Sequence, residues 1–78
     1  MVERVVGYVV GQIVDDADSV ELTMVQEGPD DVVAEVKTAS QDMGRVIGRR
    51  GRVARAIRTI AQAAADEEGL NAGVEFID

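Results

Sequence analysis

Residues 46–54 read Val-Ile-Gly-Arg-Arg-Gly-Arg-Val-Ala, a pair of glycines separated by two arginines. Gly48 can adopt backbone angles that other residues avoid, and Gly51 allows a ligand to approach the chain closely. The N–H groups at the start of a helix after Gly51 carry the positive end of its dipole and favour an anion. Together with Arg49 and Arg50, they predict an anion-binding turn between two helices.

The turn lies in a basic segment of an otherwise acidic chain. The 78 residues carry a net charge of −7, with 15 acidic and 8 basic residues. No acid stands between Asp42 and Asp66, but six arginines do: Arg45, Arg49, Arg50, Arg52, Arg55 and Arg58. A local positive field on an acidic body favours a polyanion that is bound at one place and repelled elsewhere. The alternative interpretation is a solvated helix face.

Before the turn, the pattern predicts a helix followed by a hairpin. Apolar residues recur at helical spacing over 2–14. Alternation over 20–25 and a valine-rich stretch over 32–38 predict two strands. The turn residues Gly-Pro-Asp-Asp at 28–31 leave only a short link, so the strands are expected to pair antiparallel.

Around and after the turn, two more helices and a strand are predicted. Ser40 is expected to cap a short helix over 41–47. The longest helix is expected from Gly51 to about Glu67, followed by a last strand over 74–77. Placing residues 100° apart puts the aliphatic residues inward and the arginines outward: Val53, Ile57, Ile60, Ala61 and Ala64 against Arg52, Arg55 and Arg58.

These elements predict an α+β domain over residues 1–78, with the order helix, strand, strand, helix, helix, strand. A crossover through two helices joins the second and third strands, which are therefore expected to be parallel. The prediction is a three-stranded mixed sheet with three helices on one face. Tyr8 and Phe76, the only aromatic residues, lie in apolar runs and are expected to pack inside. A domain of this size buries only about 60% of its unfolded surface, which favours a homodimer.

The composition argues against catalysis and metal binding. The chain has no cysteine and no histidine, hence no disulfide framework, no thiolate metal site and no histidine base. Acid clusters such as 15–18 are better explained as solubilising charges than as catalytic groups. We therefore expect no enzyme activity, metal or cofactor. No segment approaches the ~20 apolar residues of a membrane span, and we expect a cytoplasmic protein with no membrane partner.

The run Val-Ile-Gly-Arg-Arg-Gly resembles the signature Gly-x-x-Gly loop of KH domains, and the predicted element order is similar to their type II arrangement. The resemblance covers essentially the whole chain. In KH domains this loop clamps the backbone of about four nucleotides of RNA. The resemblance implies that bases lie over an aliphatic groove, between the helices around the loop and the strand beside them.

Two groups of residues are predicted to contact RNA. The resemblance implies that the first group holds the phosphates and forms part of the groove floor: Ile47, Gly48, Arg49, Arg50 and Gly51. Charge and helical phase add the second group: Arg45, Arg52 and Arg55. Arg58 is expected to lie too far round the helix. Ala54 departs from the family pattern, in which many members have a large aliphatic residue at that position.

The function that the resemblance implies is binding of single-stranded RNA, as a post-transcriptional regulator or RNA chaperone. It also implies self-association and pairing with a larger KH-containing protein, in a complex linked to cell elongation and envelope maintenance. One alternative is thus a protein-interaction module with little RNA affinity. The other is a DNA-binding helix-turn-helix, because two helices surround a glycine turn with arginines on the second. The preference for RNA over single-stranded DNA follows from the resemblance alone.

Overall fold

A computed structural model describes residues 1–77 as three helices and one three-stranded sheet, in the predicted order. The helices are α1 (Val2–Ile13), α2 (Met43–Ile47) and α3 (Arg52–Asp66), and the strands are β1 (Glu21–Gln26), β2 (Asp31–Lys37) and β3 (Asn71–Ile77). Three short 3-10 turns lie between them, at Ala17–Ser19, Ser40–Asp42 and Arg49–Gly51. The α+β architecture is therefore confirmed.

The sheet has β2 at its centre, antiparallel to β1 and parallel to β3. Both pairings were predicted. Ala34 of β2 lies between Met24 of β1 and Val74 of β3. Because side chains alternate across a strand, this register collects the apolar residues on one face. Six of them belong to the core or pack against it: Leu22, Met24, Ala34, Val36, Val74 and Phe76.

α1 and α3 pack together over the apolar face of the sheet. α1 contributes buried valines, and α3 contributes Ile57 and three alanines: Val2, Val6 and Val10 face Ala61, Ala64 and Ala65 in one core cluster. Valine lowers helix propensity, so α1 depends on this packing for its stability. Burial of each valine side chain contributes about 1.5 kcal/mol or more.

A buried carboxylate connects the end of α1 to the start of α2. Asp42 is completely buried, and its two oxygens accept hydrogen bonds from the backbone N–H groups of Asp15 at 3.2 Å and Asp16 at 3.0 Å. The prediction that Ser40 caps a helix over 41–47 is wrong. Ser40 instead begins a 3-10 turn that carries Asp42 beneath the end of α1, and α2 starts only at Met43.

Two side chains predicted to lie in the core are exposed. Tyr8 is 69% exposed, because it lies about 200° from Val6 around α1 and so faces away from the sheet. Ile60 is 40% exposed. It lies about a quarter turn from the centre of the buried arc of α3. Phe76, by contrast, packs against the core as predicted.

β3 begins three residues earlier than predicted, at Asn71 rather than Val74. Two hydrogen bonds of Asn71 explain the difference. Its backbone N–H donates to the carbonyl oxygen of Asp30 at 2.8 Å, and its side-chain amide donates to the carboxylate of Asp31 at 3.1 Å. These contacts place the start of β3 beside the start of β2 despite the low strand propensity of asparagine.

Replacing Asp42 by alanine is expected to lower the free energy of unfolding by about 2 to 4 kcal/mol, because two backbone N–H groups lose a buried, charged acceptor. Urea unfolding followed by circular dichroism measures the change. Asp18→Ala is the matched control, since it removes the same charge from an exposed site in the adjacent turn. Equal stabilities of the two variants would contradict this role for Asp42.

Candidate nucleic-acid interface

The loop between α2 and α3 is held by backbone hydrogen bonds at both glycines. Gly48 ends α2 and donates its N–H to the carbonyl oxygen of Gly44 at 2.9 Å. Gly51 donates its N–H to the carbonyl oxygen of Gly48 at 3.1 Å. Both residues have positive φ angles, +75° at Gly48 and +71° at Gly51. The need for unusual backbone angles at Gly48 is thereby confirmed.

The two glycines differ in the space around them. A Cβ atom at Gly48 would overlap the side chain of Val53 and lie 2.9 Å from its backbone nitrogen. A Cβ atom at Gly51 would meet nothing within 4 Å. Gly48 is therefore required by internal packing. At Gly51 the missing side chain leaves the backbone open to the outside, as a close-approaching ligand requires.

Arg50 is the one residue other than glycine with a positive φ among residues 1–77, at φ +58° and ψ +25°. A left-handed conformation costs a residue with a side chain roughly 1 to 2 kcal/mol. The surrounding loop holds Arg50 in this strained conformation. Backbone strain of this kind clusters at ligand-binding sites.

The start of α3 adds to the positive potential of the loop. No side chain caps its first turn, and that turn contains no acid. Its N–H groups and the positive end of the helix dipole thus lie beside the loop. Four arginines around it are exposed and form no ion pair among the residues described, 1–77: Arg49, Arg50, Arg52 and Arg55.

Among residues 1–77, Arg45 differs from the other arginines predicted to contact RNA because it forms an ion pair. Its guanidinium Nη2 lies 3.0 Å from the carboxylate of Asp15, and both side chains are more than half exposed. Exposed pairs of this kind contribute about 0 to 1 kcal/mol and are screened by salt. The pair therefore reduces the positive charge that Arg45 offers without fixing the side chain firmly.

The apolar residues near the loop separate into core and surface. Ile47 is half-buried and so retains exposed area next to Gly48. Ala54 is 2% exposed and belongs to the core. Because Ala54 is buried, its small size does not alter the shape of the surface around the loop. Val53 supplies the aliphatic bulk at the start of α3.

Side chains from α3 cover the outer edge of β3, an arrangement that sequence reasoning missed. Arg58 donates from Nε to the carbonyl oxygen of Val74 at 3.2 Å. Gln62 accepts from the backbone N–H of Ala72 at 3.1 Å and donates to the carbonyl oxygen of Leu70 at 3.2 Å. The spacing of these two residues, i and i+4, places them side by side. The i, i+4 spacing is the signal in the sequence that the two side chains act together. Nothing in the sequence indicates which strand they contact.

The comparisons with known proteins agree with the fold. The family model described as KhpA/KhpB, KH domain matches residues 3–76. A Borreliella burgdorferi protein named RNA-binding protein KhpA is 36% identical over 75 residues, which cover 96% of this chain and 90% of that protein. Proteins of the same name from Caldanaerobacter subterraneus and Clostridium acetobutylicum are each 45% identical over 65 residues, covering 83% of this chain and 85% of each relative. No solved structure gives a significant match.

The helix, strand, strand, helix, helix, strand order around a Gly-x-x-Gly loop defines a type II KH domain. Within that class, the chain belongs to the KhpA/KhpB KH-domain family. This confirms the resemblance drawn from the loop. The family is not enzymatic, so the prediction that the chain is not an enzyme is confirmed as well.

Within residues 1–77, no helix has the length and apolar character needed to cross a bilayer. The same residues contain no group of three or more acidic, histidine or cysteine side chains arranged to hold a metal ion.

The two glycines of the loop are expected to respond differently to the same substitution. Gly48→Ala should lower the free energy of unfolding by about 3 kcal/mol or more, because it combines a positive φ with a clash against Val53. Gly51→Ala should cost only about 1 to 2 kcal/mol, since the positive φ is its sole penalty. Thermal and urea unfolding measure both values. A larger loss at Gly51 than at Gly48 would contradict the packing described here.

Proposed function

We propose that this protein binds single-stranded RNA, with the loop of residues 48–51 as a clamp on the phosphate backbone. The observation that carries the proposal is the coincidence of open backbone at Gly51, an uncapped helix start and four exposed arginines without ion pairs among residues 1–77. Membership of a family whose relatives are named RNA-binding proteins supports the same conclusion.

In the proposed complex, Gly48 and Gly51 bring the backbone close to the phosphates, and the side chains of Arg49 and Arg50 neutralise them. Ile47 forms part of the floor on which bases lie. Arg52 and Arg55 extend the positive potential along the first turns of α3. Arg45 joins them on release from Asp15, an exchange that weak pairing at an exposed site permits.

The opposite side of the molecule supports binding at one place only. The sheet face away from the helices carries Glu21, Glu35 and Glu75 against one base, Lys37, and Glu35 lies directly beside Glu75 in the parallel register. Negative charge on that face repels a polyanion. The uneven charge seen in the sequence therefore becomes a basic end and an acidic face in the fold.

The clamp is tested by Arg49→Asp combined with Arg50→Asp. Both side chains are exposed, and aspartate tolerates the left-handed backbone at position 50, so the melting curve should stay nearly unchanged. Affinity for single-stranded RNA, measured by fluorescence anisotropy, should fall by at least about 30-fold through loss of phosphate contacts. With ~3 to 4 phosphates neutralised, the wild-type slope of log K against log salt should be about −2 to −3.

Arg49→Asp is also measured alone, and Arg4→Asp, which reverses one charge elsewhere, is its matched control. Arg4 lies in a cleft with Glu68, beyond the C-terminal end of α3 and far from the loop. Arg4→Asp should leave the affinity for RNA nearly unchanged. Unaltered affinity in the double variant, or a flat salt response in the wild type, would overturn the clamp. Titration of single-stranded RNA against duplex DNA distinguishes the proposal from a helix-turn-helix function.

We further infer a role as a post-transcriptional regulator or RNA chaperone in the cytoplasm, acting with a KhpB-like partner in cell elongation and envelope maintenance. The family description, which joins KhpA and KhpB, supports this partnership. A single clamp contacts few phosphates and binds weakly. Association with a second KH-containing chain raises the apparent affinity through effective concentration.

A homodimer is proposed through the outer face of α3, which none of residues 1–77 covers. This face is exposed and largely apolar or small: Ala56, Thr59, Ile60 and Ala63. The start of α3 is basic, whereas Asp66, Glu67 and Glu68 make its end acidic. Two antiparallel copies would bring opposite charges together at both ends, with Ile60 near the centre.

Ile60→Asp is expected to shift the dimer to monomer, because it places a charge at the centre of the interface. The fold should persist, since Ile60 is already 40% exposed. Sedimentation velocity at high protein concentration measures the change. Tyr8→Asp is the control, a charge placed on an exposed apolar residue of α1. A wild-type protein that stays monomeric would contradict the proposal.

A further inference from the structure

The face of the sheet that points away from the helices is left uncovered by residues 1–77. Side chains alternate across each strand, so the neighbours of the core positions point to this open face. One row across it is apolar or lacks a side chain: Val25 of β1, Val33 of β2 and Gly73 of β3, with Val33 in the middle. The two valines are half-buried and do not belong to the core cluster. They therefore offer apolar area to a partner.

Neither the backbone nor the packing requires glycine at position 73. Its φ is not in the positive region, and a Cβ atom there would lie 3.6 Å from Cγ2 of Val33, an ordinary contact. Glycine inside a strand weakens it and is typical of places that a ligand or another backbone approaches closely. A hollow of about 350 Å³ opens here, and its lining includes Glu27, Asp31, Val33 and Gly73. The missing side chain thus leaves a gap that a small side chain of a partner can fill.

Acidic side chains flank the apolar row on both sides. In β2, Asp31 and Glu35 lie two residues before and after Val33, or about 7 Å along the strand in each direction. Glu75 stands beside Glu35 in the parallel register, and Glu27 lines the hollow together with Asp31. None of these four carboxylates forms an ion pair with any of residues 1–77. The row therefore lies between two pairs of carboxylates without counter-charges.

The neighbouring polar groups leave this negative charge available. Lys37, the one base on the open face within residues 1–77, lies directly opposite Glu21 and offsets that acid. Asp31 accepts one hydrogen bond, from the side-chain amide of Asn71 at 3.1 Å, and a carboxylate has room for further donors. A surface of this kind attracts cations and repels a polyanion. Its partner is therefore positively charged and is not RNA.

We propose that the open face docks an extended, basic segment of another protein, with a small apolar side chain over Gly73 and an arginine or lysine on each side. Alternate side chains of an extended segment point the same way and lie about 7 Å apart. This is the spacing from Asp31 to Val33 and from Val33 to Glu35. The matching pattern is a basic residue, a spacer, valine, a second spacer and another basic residue.

A second copy of this chain is a poorer occupant than a foreign segment. Its free arginines lie around the loop of residues 48–51, where the backbone turns through a left-handed residue at Arg50 and then enters α3. That path is not extended, so the arginines do not present the required spacing. Because the loop and the open face are separate surfaces, one molecule can hold RNA and a basic protein at the same time.

The test uses the full chain, isotopically labelled for NMR, and the capped peptide Arg-Thr-Val-Thr-Arg in low-salt buffer. Backbone amide signals of Val33, Glu35 and Gly73 should shift and saturate as peptide is added. The control peptide Arg-Arg-Val-Thr-Thr has the same composition but loses the spacing between the charges, and it should bind about threefold or more weakly.

Gly73→Val fills the gap and should weaken peptide binding about fivefold or more, because the valine of the peptide loses its apolar contact. The variant should fold, since a Cβ atom fits there and valine favours strands. Its affinity for single-stranded RNA should match that of the wild type. Glu75→Gln should also weaken peptide binding, whereas Glu3→Gln, the matched control on α1, should not. Thermal melting verifies that each variant is folded.

Three results would overturn this inference and leave the clamp untouched. The first is a peptide that shifts no amide of the open face. The second is equal binding of the two peptides, or of the peptide to the wild type and Gly73→Val. The third is self-association of the wild type that Gly73→Val abolishes, which would assign the face to a second copy of the chain.

Discussion

The contact between Gly48 and Val53 is the constraint on which the loop of the proposed interface depends. Because the α-carbon of Gly48 lies against the first turn of α3 at a positive φ, no other residue fits there. This contact sets the path by which α2 turns into α3. In the loop that follows, Arg50 has a left-handed conformation and Gly51 is open. The loop backbone is therefore arranged before any ligand arrives, and a ligand needs to order little more than the arginine side chains.

α3 presents three different surfaces around one axis. Ile57 and the alanines face the core, Arg58 and Gln62 cover the edge of β3, and Ile60 lies on the outer face. Each surface contacts a different part of the fold or is left uncovered by residues 1–77. Substitutions on one surface are therefore expected to act nearly independently of those on another, since the residues share few partners.

The element order, the hairpin, the parallel crossover and the positive φ of Gly48 could all be predicted, because each depends on local periodicity or on turn residues. The polar contacts could not. Asp42 binds backbone 26 and 27 residues away, and Arg58 meets Val74 16 residues away, so these contacts exist only once the elements have packed. The wrong predictions for Tyr8 and Ile60 have a different reason: their helical phase already turns them away from the buried side, but hydropathy alone does not distinguish an apolar side chain in the core from one on the surface.

The length of α3 has a consequence for any paired form of the molecule. Ile60 lies nine residues from Gly51, or about 13 Å along the helix axis. In an antiparallel pair centred on Ile60, the two loops would therefore stand about 27 Å apart, at opposite ends of a rigid rod. The helix would then act as a ruler. It would favour transcripts with two accessible unpaired segments at a matching separation, whatever bases lie between them.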